Sequence, residues 1–147
     1  MTRAHLAILK QPWLDMILSG RKPVESRLSK GRYPPFGQIG AGDIVFLKKS
    51  SGPVVATAIV SQARFFPDLT SEKMELLKQR YNHLICAGDD YWQSKLEARF
   101  GTLIWLGDIQ PIEPVRIDKK DWRAWVPLSA GNDFGLLEYL PAGTSID

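Results

Sequence analysis

The densest run of chemistry-bearing side chains is Gly20-Arg21-Lys22-Pro23-Val24-Glu25-Ser26-Arg27, where Lys22, Glu25 and Arg27 bring together an amine, a carboxylate and a guanidinium. A carboxylate can act as a general base, and the two cations beside it can stabilise developing negative charge. A carboxylate beside two cations has its charged form favoured, while desolvation in a pocket pulls the other way. Such clusters are over-represented at functional sites. Geometry limits how the three cooperate. In an extended strand Glu25 and Arg27 share a face, because the side-chain period is two. Lys22 has the opposite parity and joins them only if the strand bends or begins after Pro23. A set of surface ion pairs beside a solvated loop is the competing reading of the same residues.

The elements that must position this cluster follow from pattern. Residues 5–9 read as a short strand, and 11–19 as a helix with Pro12 in its first turn and Gly20 as its C-cap. A strand over 24–28 follows Pro23, and the Gly- and Pro-rich stretch 29–42 is a loop. Apolar runs at 43–49 and 53–66 around the turn at 50–52 make a hairpin. Thr70 caps a helix to about Asn82, and a second short helix runs over 89–98. Residues 100–106 and 109–117 read as two strands, the latter marked by Pro111 and Pro114 as an edge or bent strand. Trp122 and Trp125 are expected to tuck against the body, and the tail after Pro141 to fray. The resulting class is α+β: a small curved or closed sheet of about five to six strands with two to three peripheral helices. Residues 1–147 read as one domain, with 119–147 as a C-terminal extension packed on it.

Composition narrows the function classes. At 44% hydrophobic and 24% charged, the 147-residue chain is that of a soluble globular protein able to bury a core without staples. The lone cysteine, Cys86, excludes an internal disulfide framework. His83 and Cys86 stand three apart without further ligands, so no metal site and no cofactor are expected. No apolar run reaches membrane-span length, and the N-terminus lacks a signal-peptide pattern, which makes the cytoplasm the expected location. Through Ser50 there are nine Lys and Arg against three Asp and Glu, and the remainder carries ten against thirteen. The basic first third suits an anionic partner or a nucleotide-like ligand.

Helix followed by G-x-K-x-x-E-x-R resembles the signature of the activating signal cointegrator homology (ASCH) family, with Gly20, Lys22, Glu25 and Arg27 at the fixed positions. Gln11-Pro12-Trp13 is similar to the Q-P-W or Q-P-Y that opens the first helix in members of that family. Gly42-Asp43-Ile44-Val45-Phe46-Leu47-Lys48 resembles its G-D strand, and Gly52-Pro53-Val54-Val55 the hairpin that follows. Asp90-Tyr91-Trp92 and Thr102-Leu103-Ile104-Trp105-Leu106 resemble its later helix and closing strand. The likeness spans about residues 5 to 115.

The resemblance implies a PUA-like barrel with a cleft beside the first helix, and nucleoside or nucleic-acid ligands. Some small bacterial relatives hydrolyse the amide of N(4)-acetylcytidine or other N(4)-acylated cytosines, using a lysine, a threonine three residues later and a distant glutamate. Lys22 matches the lysine, the threonine position is Glu25 here, and Asp89 and Asp90 stand in for the glutamate by location only.

The leading expectation is therefore an amidohydrolase, acting on a non-peptide C–N bond, with Lys22, Glu25 and Arg27 as catalytic residues. Gln11, Trp13, Arg21, Tyr33, Lys48, Ser50 and Asp90 are candidates for substrate binding. Trp13 can stack on a base, Tyr33 can form a lid, and core or loop anchoring is the plainer role for each. Expected partners are a modified pyrimidine nucleoside or base, or RNA, with no membrane, and the chain acting as monomer or weak homodimer. The alternatives are a non-catalytic RNA- or DNA-binding module and an RNA-processing nuclease using the same basic cleft.

Overall fold

The computed structural model describes residues 2–140, 144 and 146. In chain order the elements are β1 (Ala4–Leu9), α1 (Trp13–Leu18), β2 (Val24–Ser29), β3 (Ile44–Lys49), β4 (Val54–Phe66), α2 (Ser71–Ile85), α3 (Asp89–Ser94), β5 (Phe100–Val115) and β6 (Trp125–Leu128), with a 3-10 turn at Leu136–Tyr139. The strands form one six-stranded sheet in the order β2-β5-β4-β3-β1-β6. β1 runs parallel to β3, and the other pairings are antiparallel. The sheet curls into a half-barrel with three helices around it, the α+β class that the pattern implied.

The curl has a local cause. β4 and β5 are 13 and 16 residues long, and their ladder shifts register three times. Each bulge adds an unpaired residue to one strand and increases its bend and twist. This also explains a difference from the sequence reading. Residues 100–106 and 109–117 are not two strands: β5 continues through Gly107 and Asp108, the latter at φ 46°. The shift in register absorbs what looked like a turn.

Two-sided burial follows from alternation. Ala7, Leu9, Val45, Leu47, Ala56, Ala58 and Ile104 point into the barrel, where Leu14 and Ile17 of α1 close its end. Each of those two helical side chains is nearly fully buried, an effect worth about 1.5–3 kcal/mol apiece. The opposite face of β2 and β5 presents Val24, Leu28 and Leu103 to Met74, Leu77, Tyr81 and Ile85 of α2 and Trp92 of α3. A third cluster packs Leu6 and Phe46 against Val126, Leu128 and Leu136.

The C-terminal segment supplies β6, which adds to β1, so part of it is sheet. Trp125 is buried, but Trp122 is fully exposed, contrary to the expectation that both would tuck in. Trp122 lies in an exposed run, 121–124, that directly precedes β6. The fraying expected beyond Pro141 concerns residues mostly outside the described set, although Ile146 forms an isolated bridge to Thr2. Among the described residues no helix is long and apolar enough to cross a membrane.

Candidate functional site

The two ends of the curled sheet, β2 and β1–β6, do not hydrogen-bond to each other as strands. A side chain spans the seam instead. Arg27 on β2 donates from Nη2 to the Ile8 carbonyl at 3.0 Å and from Nη1 to the Ala124 carbonyl at 3.2 Å. Its guanidinium also sits 5.2 Å from the centre of a Trp125 ring. Beside this seam lies a cavity of about 1040 Å³, walled by β2, the end of β1, Trp13 of α1, Tyr33 to Phe36 of the loop, and α3.

Local folding delivers the charge cluster to the cavity wall. α1 stops because Gly20 takes φ 81°, and Lys22 N–H then bonds back to Met16 O at 3.0 Å. β2 begins at Val24, after Pro23, so Lys22 is free of the strand parity and turns toward Glu25. The condition set by the sequence geometry is met. Lys22 Nζ lies 3.4 Å from Glu25 Oε1, and Arg27 Nη2 donates to Glu25 Oε2 at 2.9 Å. Lys22 and Glu25 are 2% and 7% exposed, so these are not surface ion pairs.

Lys22 has further work. Its Nζ donates to Val24 O at 3.0 Å and to Ile85 O at 2.5 Å, a free carbonyl at the C-terminus of α2. A cation there is favoured by the orphan carbonyls and the helix dipole. With Glu25, all three of its protons are engaged. Burial pushes the Lys22 ammonium down from its ordinary range, and Glu25 pulls it back up. Three acceptors around one nitrogen call for three N–H bonds, which is the ammonium form.

Glu25 is an ionised carboxylate. Burial acts most strongly and raises its pKa, but Arg27, Lys22 and the Ser26 N–H at 3.1 Å outweigh that and hold it below the usual range. Its Oε1 faces two donors and its Oε2 one, so Oε2 retains acceptor capacity. The wall continues with Tyr91, whose hydroxyl bonds Ser26 Oγ at 2.7 Å and Ser26 O at 3.3 Å. Burial pushes the Tyr91 phenol up to about 12, so it remains protonated at neutral pH.

The remaining candidates divide. Trp13, Tyr33 and Asp90 line the cavity with Lys22, Glu25 and Arg27. Tyr33 is 67% exposed, and its ring lies over Gly31, where an added Cβ would meet it at 2.8 Å. Gln11, Arg21, Lys48 and Ser50 do not line it. The Gln11 amide is occupied with Asp15, donating to its carboxylate at 3.0 Å and accepting from its N–H at 3.1 Å in the first turn of α1. Arg21 points to solvent. Lys48 shares the face of Phe46, bonds the Lys49 carbonyl, and lies near Lys119 and Arg116. Ser50 N–H joins the turn to Leu9 O at 2.8 Å. Sequence reasoning missed Ser26, Tyr91, Lys95 and Trp125 as cavity residues. Their only local cue was aromatic density at Tyr91-Trp92; the rest is set by pairings across the fold.

A half-barrel with a helix plugging one end and a charged strand at its open seam is the fold of an ASCH domain, a small PUA-like barrel. The chain superposes on the crystal structure of ASCH from Zymomonas mobilis with TM-score 0.69 and 15% identity, covering 98% of each chain. Two single-residue variants of that protein match with TM-scores of 0.69 and 0.70 at 16% and 18% identity, over 92% of this chain and at least 95% of theirs. No family model and no curated protein matches the sequence. At such identity the likeness establishes the fold.

Proposed function

We propose that this protein is an amidohydrolase that removes the acyl group from N(4)-acylated cytosine ligands, with Glu25 activating the attacking water. The observation that carries this reading is an ionised, buried carboxylate with one lone-pair site open on Oε2, at the wall of a cavity large enough for a nucleoside. Water donating to Oε2 transfers its proton to Glu25 as its oxygen attacks the amide carbon, and the same proton then reaches the N(4) leaving group. Lys22 holds Glu25 and contributes positive charge beside the oxyanion, with its protons engaged elsewhere. Arg27 fixes the second carboxylate oxygen and keeps the seam closed. Trp13 lines the same cavity, which supports a stacking role on the pyrimidine worth about 1–3 kcal/mol in comparable contacts.

Incubation with N(4)-acetylcytidine, followed by its ultraviolet shift to cytidine, tests this. Conversion by the wild-type chain and its loss in E25Q support it; undiminished conversion in E25Q sinks it. A second reading, a binding module for RNA or DNA, draws support from the cation-rich cavity wall. It expects tight RNA binding with no conversion, and a steep fall of affinity with salt.

A further inference from the structure

The cavity wall holds more positive charge than Glu25 consumes. Lys10, at the end of β1, and Lys95, at the C-terminus of α3, line it together with Arg27. Among the described residues neither lysine makes an ion pair or a side-chain hydrogen bond, and Lys95 lies 5.6 Å from the centre of the Tyr91 ring. The three cations feel one another: burial first, then Arg27 and Lys10, push the half-buried Lys95 ammonium below its ordinary range. Three carboxylates line the cavity: Glu25 is taken up by Lys22 and Arg27, Asp89 pairs with Lys78 at 3.5 Å, and Asp90 forms no ion pair with Lys10 or Lys95 among the described residues. No carboxylate is among the groups that shift Lys95. Like charges gathered without a counterion repel, and a bound anion removes that cost.

Size points the same way. A volume of about 1040 Å³ sits at the upper end of small-ligand pockets, roughly 300–1000 Å³, and exceeds what a pyrimidine base requires. We infer that Lys10 and Lys95, beside Arg27, form a phosphate subsite, so that the ligand is a phosphorylated cytidine and not the neutral nucleoside or base. This rests on the reading above and specifies its substrate. Glu25 repels a phosphate while Lys10 and Lys95 attract it, so the charges also fix the direction of the ligand: acyl amide toward β2, phosphate toward the end of β1 and α3. A phosphomonoester and an RNA phosphodiester share this chemistry.

Calorimetric titration with cytidine and with cytidine 5′-monophosphate reads the subsite without any turnover. The expected dissociation constant for the monophosphate is at least about tenfold lower at low salt, with the gap narrowing as salt rises. In the K10Q/K95Q double variant the ratio of the two constants falls to within about twofold, a ratio that general damage to the fold leaves unaltered. Equal affinities in the wild-type chain, or a ratio unchanged by the double variant, overturn the inference. Initial rates on N(4)-acetylcytidine, its 5′-monophosphate and a short RNA containing it assign the source: preference for the monophosphate indicates a terminal phosphate, and preference for the strand a diester. Preference for the monophosphate without any hydrolysis leaves the subsite standing and removes the hydrolase reading. Hydrolysis without preference does the reverse.

Discussion

Asp43 and Glu25 are both buried carboxylates set among cations, yet only Glu25 borders the cavity. Asp43 accepts from Arg3 N–H at 3.1 Å, Gly40 N–H at 3.0 Å and His5 Nε2 at 3.0 Å, with Arg3 Nε at 3.3 Å. His5 is fixed in turn, because Trp125 Nε1 donates to its Nδ1 at 3.1 Å and leaves the proton on Nε2 for Asp43. That network ties the start of β1 to β3 and to the seam tryptophan, and four donors meet the carboxylate. Glu25 is one donor short. Buried charge alone does not make a reactive site; spare capacity facing a cavity does.

Substitutions at the two carboxylates sharpen the contrast, with the largest effect at Glu25. E25Q keeps the shape and removes the base, and is expected to lower kcat/KM on N(4)-acetylcytidine by about 10²–10⁴-fold. E25A also strands Lys22 as a buried cation beside the half-buried Arg27 and is expected to cost about 3–5 kcal/mol in denaturant unfolding. D43N, by contrast, should cost about 2 kcal/mol of stability through unpaired donors while leaving kcat/KM per folded molecule within a few-fold. A D43N enzyme as inactive as E25Q would erase the distinction.

Acid separates the clusters next. The His5 pKa is lowered by burial, against the pull of Asp43, so its folded value lies below 6.5. Below pH 6.5 the unfolded chain takes up a proton that the folded chain refuses, so this stability is present above 6.5 and lost as pH falls toward the folded value. Glu25, also lowered, keeps its contribution until pH falls through its model-compound value of 4.5 and then through the folded one. Unfolding free energy measured against pH should therefore decline in two stages, and H5F should abolish the upper stage only. A single stage below pH 4.5 in the wild-type chain would refute the His5 assignment.

Smaller effects test the cavity wall. Y91F leaves the Ser26 carbonyl and hydroxyl one partner short, a loss of about 1 kcal/mol by thermal unfolding. T102V is expected to be neutral or stabilising by up to about 1 kcal/mol, because Thr102 Oγ1 is buried without a hydrogen-bond partner among the described residues. Thr102 faces Arg27 across the β2–β5 ladder, and Arg27 Nε is likewise unpartnered. Destabilisation by more than 1 kcal/mol would reveal a water bridging the two.

What could be read from the chain was what neighbouring residues decide. Gly20 ending a helix, Pro23 freeing Lys22 from the strand, and Glu25 sharing a face with Arg27 are effects over a few residues, and each holds in the fold. Lys48 failed because adjacent strand residues face opposite ways, and which face met the cavity depends on the sheet's curl. Gln11 failed because its amide found a nearer partner in Asp15. Tyr91 is 65 residues from Ser26, and Ala124 is 97 from Arg27, so no spacing rule brings them together. The β5 strand was split because a Gly-Asp step resembles a turn until a partner strand is present to carry it through.

β2 is an edge strand, and such edges invite intermolecular pairing. Here Lys22 covers the Val24 carbonyl, Glu25 covers the Ser26 N–H, and Tyr91 covers the Ser26 carbonyl. The residues proposed to handle the ligand thus also deny this edge to a second molecule. Substitutions among them are expected to raise aggregation, so the site and the solubility of the protein are constrained by the same side chains.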